Sequence, residues 1–172
     1  MTPRHLPLAL LLTGLWLGLL VASWVAATVN FRTVDGVLGP GGSHDAQVRF
    51  EPVEAKDRRM LLRHLASEIN RWMFRWWSRS QVALGVALLL LLWPTAGTPR
   101  ALAAVALAIA LLQAVGFAAP ITDLGRSIDF LPRPLPPDLG RRFGLLHGAF
   151  VLLDLAKAAG LVSVAALLVR RG

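Results

Sequence analysis

The chain has 172 residues, 55% of them hydrophobic and only 16% charged, against about a quarter charged in soluble domains. Its net charge of +8 would suit nucleic acid, but most basic residues lie between or just outside apolar blocks. That layout belongs to membrane topology and anionic lipid headgroups, so no nucleic-acid partner is expected. Cysteine is absent, which excludes disulfides, thiolate metal clusters and thiol chemistry. Tyrosine is absent too, so tryptophan must supply any aromatic belt.

The apolar residues form four blocks, each near the length of roughly 20 residues that a helix needs to cross a hydrocarbon core of about 30 Å. The first, LPLALLLTGLWLGLLVASWVAATVNF, predicts a span over about 6–31. Arg4 before it resembles the start of a signal peptide, but the block exceeds the roughly 7–15 apolar residues of a signal, so an uncleaved span is expected. Gly14, Gly18, Ala22 and Ala26 recur at every fourth position and make a small-residue stripe that would let a partner helix approach closely. The same step reaches Asn30.

TVDGVLGPGGSHDAQVRFEPV follows, with five helix breakers between Gly36 and Gly42 and a weak strand signal at AQVRF. Helical periodicity returns over about 54–79. There Leu62, Leu65, Ile69, Met73 and Trp76 fall on one stripe, and Arg59, Arg63, Arg71, Arg75 and Arg79 on another. This is the pattern of a basic amphipathic juxtamembrane helix. Trp72, Trp76 and Trp77 sit where its interfacial anchor belongs.

The second span is short, about 80–96, and should continue that helix unbroken to Pro94. Thr98 is a candidate cap, with Pro99 at the first helical position. The third span, about 100–119, should end at Pro120 and lie antiparallel to the second. A stiff, Pro-rich connection over 120–138 leads to a fourth span over about 141–169, with Asp138 as a candidate cap and Arg170 and Arg171 at its close. Gly140, Gly144 and Gly148 repeat the small-residue step, so spans one and four are expected to pack through their stripes.

The first and third connections hold nine and four Lys or Arg residues, against four in the N-terminus, second connection and C-terminus together. The positive-inside rule then places both termini on the non-cytoplasmic side of a membrane expected to be a bacterial inner membrane.

The last span carries His147, Asp154 and Lys157. Asp154 falls near mid-bilayer, and Lys157 reaches it along the same face at i+3. A lone charge at that depth costs at least a few kcal/mol, so the two are expected to satisfy one another. The sharper alternative is a proton or ion relay with His147 nearer the entrance, but the other spans supply few polar partners, chiefly Gln113. His147 has no second histidine in another span, since His5, His44 and His64 lie outside them; no haem, metal or other cofactor is expected. Neither GxSxG, nor a P-loop, nor HExxH, nor a dinucleotide-binding turn is present, which points away from an enzyme.

LWLG in span one, NFRTVDGVL at its end, APITDLGRS before the last span, and Phe143, Leu146, His147, Gly148 and Asp154 within RRFGLLHGAFVLLDLAKAAGLV together resemble the transmembrane protein 205-like family. This is a domain-of-unknown-function group of small four-span membrane proteins. The resemblance covers both ends of the chain and little of the middle, and the Gly-rich stretch near 36–50 departs from it. It implies a four-helix membrane bundle and no catalytic residues.

The sequence therefore predicts an all-α integral membrane four-helix bundle with a basic amphipathic juxtamembrane helix between spans one and two. The expected function is a non-enzymatic helix-packing scaffold or partner-binding subunit, in contact with lipid and with other membrane subunits. The alternatives are a small transporter or proton relay, and an accessory subunit of a redox or photosynthetic complex.

Overall fold

A computed structural model describes residues 5–170; the flanking charges Arg4 and Arg171 lie outside them. The described residues contain no strand. They form six α-helices: α1 (His5–Leu38), α2 (His44–Phe50), α3 (Ala55–Leu92), α4 (Thr98–Leu112), α5 (Ala118–Ile128) and α6 (Pro137–Val169), with a π-helical turn, Gln113–Phe117, joining α4 to α5. Three helical stretches are long and apolar enough to cross a membrane: His5–Leu38, Thr98–Ile128 and Pro137–Val169. At most 28% of the residues in their most apolar windows are buried. Three long helices this apolar and this exposed suggest an integral membrane protein.

The long helices close a ring, in which α1 packs on α3 and α6, and α4 also packs on α3 and α6. The main packed cluster fills one half of this bundle, while Val34, Ala66, Ile128 and Phe150 are buried in the other. It is built from Ala9, Trp16 and Leu20 of α1, Leu88 and Leu92 of α3, Ala103, Ala106 and Ala110 of α4, and Leu161, Val164 and Leu168 of α6. At Gly85 the close approach is obligatory, because a Cβ there would lie 2.7 Å from Trp16 Cη2 and 2.9 Å from Leu107 Cδ1. Glycine thus lets α1, α3 and α4 meet.

Several expectations are corrected. AQVRF is helical, within α2. Helix α1 runs past residue 31 to Leu38. The small-residue stripes are not the packed faces. Gly14, Gly18, Ala22 and Gly144 are exposed, and a Cβ on Gly14, Gly18, Gly144 or Gly148 would meet nothing within 4 Å; Gly140 lies near only Leu135. Helix α1 instead turns Ala9, Thr13, Trp16 and Leu20 inward, and Ala26 is half-buried. The large indole and leucine side chains bury more apolar area than the stripe could, and they decide the rotation.

Thr98 makes no cap bond; Gly97, at φ 108°, turns the chain into α4. Asp138 lies in the first turn of α6 without a side-chain cap bond, where its charge still favours the helix dipole. Pro120 does not end a helix. It sits in the first turn of α5, just after the π-turn, where a missing backbone N–H is tolerated. Half of the expected stiff connection is therefore α5, and only 129–136, a run of turns and bends, lies outside a helix.

Helix α3 does run unbroken over Ala55–Leu92 as expected, but its N-terminal half is rotated. Leu65, Ile69 and Trp76 of the apolar stripe are exposed, while Ala66, Arg71, Ser78, Gln81 and Gly85 turn inward. Arg71 thereby leaves the basic face to Arg63, Arg75 and Arg79, which stay exposed.

Candidate functional site

Asp154 lies 17 residues from the start of α6 and 15 from its end, the middle of a helix that rises about 1.5 Å per residue. It and Lys157 are 3% and 1% exposed, and the Lys157 ammonium lies 2.8 Å from Asp154 Oδ1. Gln113 joins them from the opposite wall. It accepts a hydrogen bond from Lys157 through Oε1, and through Nε2 donates to Asp154 Oδ1 and to the Phe150 carbonyl, both at 3.0 Å. The Trp24 indole N–H donates to the other carboxylate oxygen, Asp154 Oδ2, at 3.3 Å.

Helices α1 and α6 and the π-turn thus converge on one carboxylate. The π-turn begins at Gln113, and such single-turn π segments recur at functional or closely packed positions. A second cross-helix bond, from Trp16 Nε1 to buried Gln81 Oε1 at 3.2 Å, ties α1 to α3 further out. Asn30 bonds Asn70 at the inner end of the same pair.

The sequence names Asp154, Lys157 and Gln113, and the structure brings all three together. His147 is not among them: it is exposed and stacks on Phe143, ring centroids 5.8 Å apart. Trp24 is missed by sequence reasoning. Its signal is position, since Trp16 and Trp24 lie inside a span rather than in an interfacial belt, and a buried indole N–H needs an acceptor.

A second polar cluster, unforeseen in the sequence, ties α3 to the end of α5. Arg71, 8% exposed, bonds both Glu68 and Asp129, the latter at 2.7 Å. His64 Nδ1 lies 2.8 Å from the same Asp129 oxygen, and Arg126 lies 3.2 Å from Glu68. The hydrogen bond from Arg126 draws the Glu68 carboxyl down to about 2; burial opposes this and Arg71 adds to it. Donor atoms of His64, Glu68 and Asp129 come within 4.8 Å of one another, a spacing that suits a metal ion. The Arg71 guanidinium already bonds both carboxylates, so the negative charge that would attract a cation is compensated.

Beside the packed core the helices part around a cleft of about 1740 Å³. Its walls are residues 19–35 of α1, 56–80 of α3, 121–133 of α5 and the segment after it, and 143–155 of α6. Asp154, Trp24 and His147 line it, and Lys56, Arg59 and Arg63 lie towards its basic end.

Arg–Trp pairs mark two levels on α3 and its turn. Arg79 lies over Trp76 at 5.8 Å and Arg100 over Trp93 at 5.7 Å. Trp72 and Trp76 are more than half exposed, whereas Trp77 packs against the core.

Compared with protein families, curated proteins and solved structures, the chain matches none.

Proposed function

We propose that this protein is a non-enzymatic, four-span integral membrane protein acting as a scaffold or partner-binding subunit, of the transmembrane protein 205-like type that its terminal motifs resemble. The fourth span is the outer part of α3. Trp76 and Trp93 are 17 residues apart, about 26 Å of helix, close to a hydrocarbon thickness of about 30 Å. Each tryptophan has an arginine over its ring, as interfacial anchors at both surfaces would. Both termini then lie on the non-cytoplasmic side, and the basic part of α3 faces anionic headgroups in the cytoplasm.

The observation that carries the scaffold reading is that the groups of the Trp24–Asp154–Gln113–Lys157 quartet pair with one another within the chain. Both Asp154 oxygens, the Lys157 ammonium and both ends of the Gln113 amide are engaged within the chain. Such a group holds α1, the π-turn and α6 in register. Replacing a buried ion pair as a whole is close to neutral, whereas removing one partner costs about 3–5 kcal/mol.

Asp154→Asn with Lys157→Met should therefore keep the detergent-extracted protein folded, and Asp154→Asn alone should lower its thermal stability markedly. The relay reading has one observation in its favour, that Asp154 and His147 line the same cleft. It requires Asp154→Asn to abolish proton or ion flux in reconstituted vesicles. Flux in the parent that disappears in this variant while the fold survives would replace the scaffold reading.

A further inference from the structure

Helix α5 is attached to the bundle differently from its neighbours. The packed core draws on α1, α3, α4 and α6, and no residue of α5 belongs to it. Of the 11 residues of α5 only Gly125 and Ile128 are buried. Its two ends hold it instead. We infer that α5 is a hinged strap, pivoting at the π-turn and latched to α3 by the Arg71–Glu68–Asp129–Arg126 cluster, and that opening the latch widens the cleft.

The near end is the hinge. The π-turn Gln113–Phe117 interrupts the regular ladder between α4 and α5, and Pro120 follows it without a backbone N–H. Sharp bends in helices gather at such π-turns and prolines. Val115 in the turn is 81% exposed, so no neighbour within the chain braces that side. Gln113, at the start of the turn, is fixed by its bonds to Phe150, Asp154 and Lys157. The chain is thus anchored up to residue 113 and able to bend just beyond it.

The far end is the latch. Arg71 of α3 reaches Asp129, the residue after α5, at 2.7 Å, and His64 Nδ1 lies 2.8 Å from the same oxygen. The His64 ring packs on Phe130, centroids 4.6 Å apart. Arg126 of α5 lies 3.2 Å from Glu68, with side chains 49% and 35% exposed, and ion pairs so exposed are individually weak. Glu68 and Arg71 stand five to eight residues before Trp76, about 8–12 Å of helix, on the aqueous side of the span proposed above. Charges released there are taken up by water rather than stranded in hydrocarbon.

Between hinge and latch, α5 is a wall of the cleft. Ile121, Thr122, Gly125 and Ile128 line it, and so does the segment 129–133 beyond. An 11-residue helix is about 16 Å long. A swing of about 20°, the size of a kink at a proline or π-turn, moves its far end by about 6 Å. Trp24, Asp154 and the core residues lie on other elements, so the cleft changes width while they stay in place.

The test is pulsed electron paramagnetic resonance of the doubly spin-labelled full chain in detergent, which the absence of cysteine makes clean. Leu61→Cys with Ser127→Cys, both exposed, reads the gap between α3 and the far end of α5. Leu11→Cys with Leu90→Cys, both exposed, reads α1 against α3 beside the packed core. In Asp129→Ala the first distance should lengthen by about 6 Å, and the second should match the parent. Arg126→Gln, which removes only an exposed pair, should raise the population at the longer distance about two- to fivefold. Ile128→Cys, on the buried face of α5, should react with maleimide about tenfold faster when Asp129→Ala is added.

A first distance equally narrow in the parent and both variants, or a labelling rate unmoved by Asp129→Ala, would overturn the inference, because α5 would then be held without its latch. Loss of the second distance along with the first would overturn it too, since the cluster would then support the whole bundle rather than one strap. Both outcomes are independent of the Asp154 and Lys157 variants that decide the scaffold reading.

Discussion

At the scale of single residues, burial and pairing go together in both polar clusters. Asp154 and Lys157 are as buried as the leucines of the core, and each has partners from other elements. Glu68 is the member whose titration is readable from outside the membrane-spanning segments. Its pKa in the folded protein, about 2, is below the ordinary 4.5, first through the Arg126 hydrogen bond. The unfolded chain therefore takes up the proton first as pH falls. The stabilisation is complete above about pH 4.5 and lost as pH falls towards 2. Thermal unfolding in detergent between pH 6 and pH 2 should show this loss in the parent and a smaller loss in Arg126→Gln.

At the scale of elements, glycine behaves in two opposite ways. Gly85 is a contact, with Trp16 and Leu107 closer than a Cβ allows. Gly85→Ala should destabilise the bundle by about 1–3 kcal/mol, the usual cost of overpacking, and a smaller residue in place of Trp16 should recover part of it. Gly18 faces open space, so Gly18→Ala should be neutral or stabilising by about 0.5–1 kcal/mol from helix propensity. Thermal denaturation of the two variants side by side decides it. If Gly18→Ala weakens the protein instead, the stripe packs against something outside the single chain. The π-turn makes a related point, since it allows Pro120 within the first turn of a new helix and begins at the residue, Gln113, that reaches Asp154.

At the scale of the whole molecule, one densely packed half and one half opened by the cleft follow from where the large apolar side chains lie along four helices. The absence of cysteine makes orientation easy to measure. Ser43→Cys, in the first connection, should react with a membrane-impermeant maleimide only after the cells are permeabilised. Gly97 is constrained by its φ of 108°, so the neighbouring Thr95→Cys is the better probe of the second connection, and it should react in intact cells. The reverse pattern would invert the topology and place the basic end of the cleft on the outer face.

The sequence by itself determined the helical class, the apolar blocks, the continuity of α3 and the pairing of Asp154 with Lys157 one turn on. Each is set by local chain chemistry or by the high cost of a lone charge among apolar neighbours. Only the tertiary structure decided which face of each helix turns inward. In water an apolar stripe identifies the buried face, but in hydrocarbon apolar side chains are equally at home on either side. The rotation of α1 and α3 was therefore fixed by bulk and by polar partners: Trp16 against Gly85 and Gln81, Trp24 against Asp154, and Arg71 against Asp129. Those pairings join residues far apart in the chain, and no periodicity within one helix carries them.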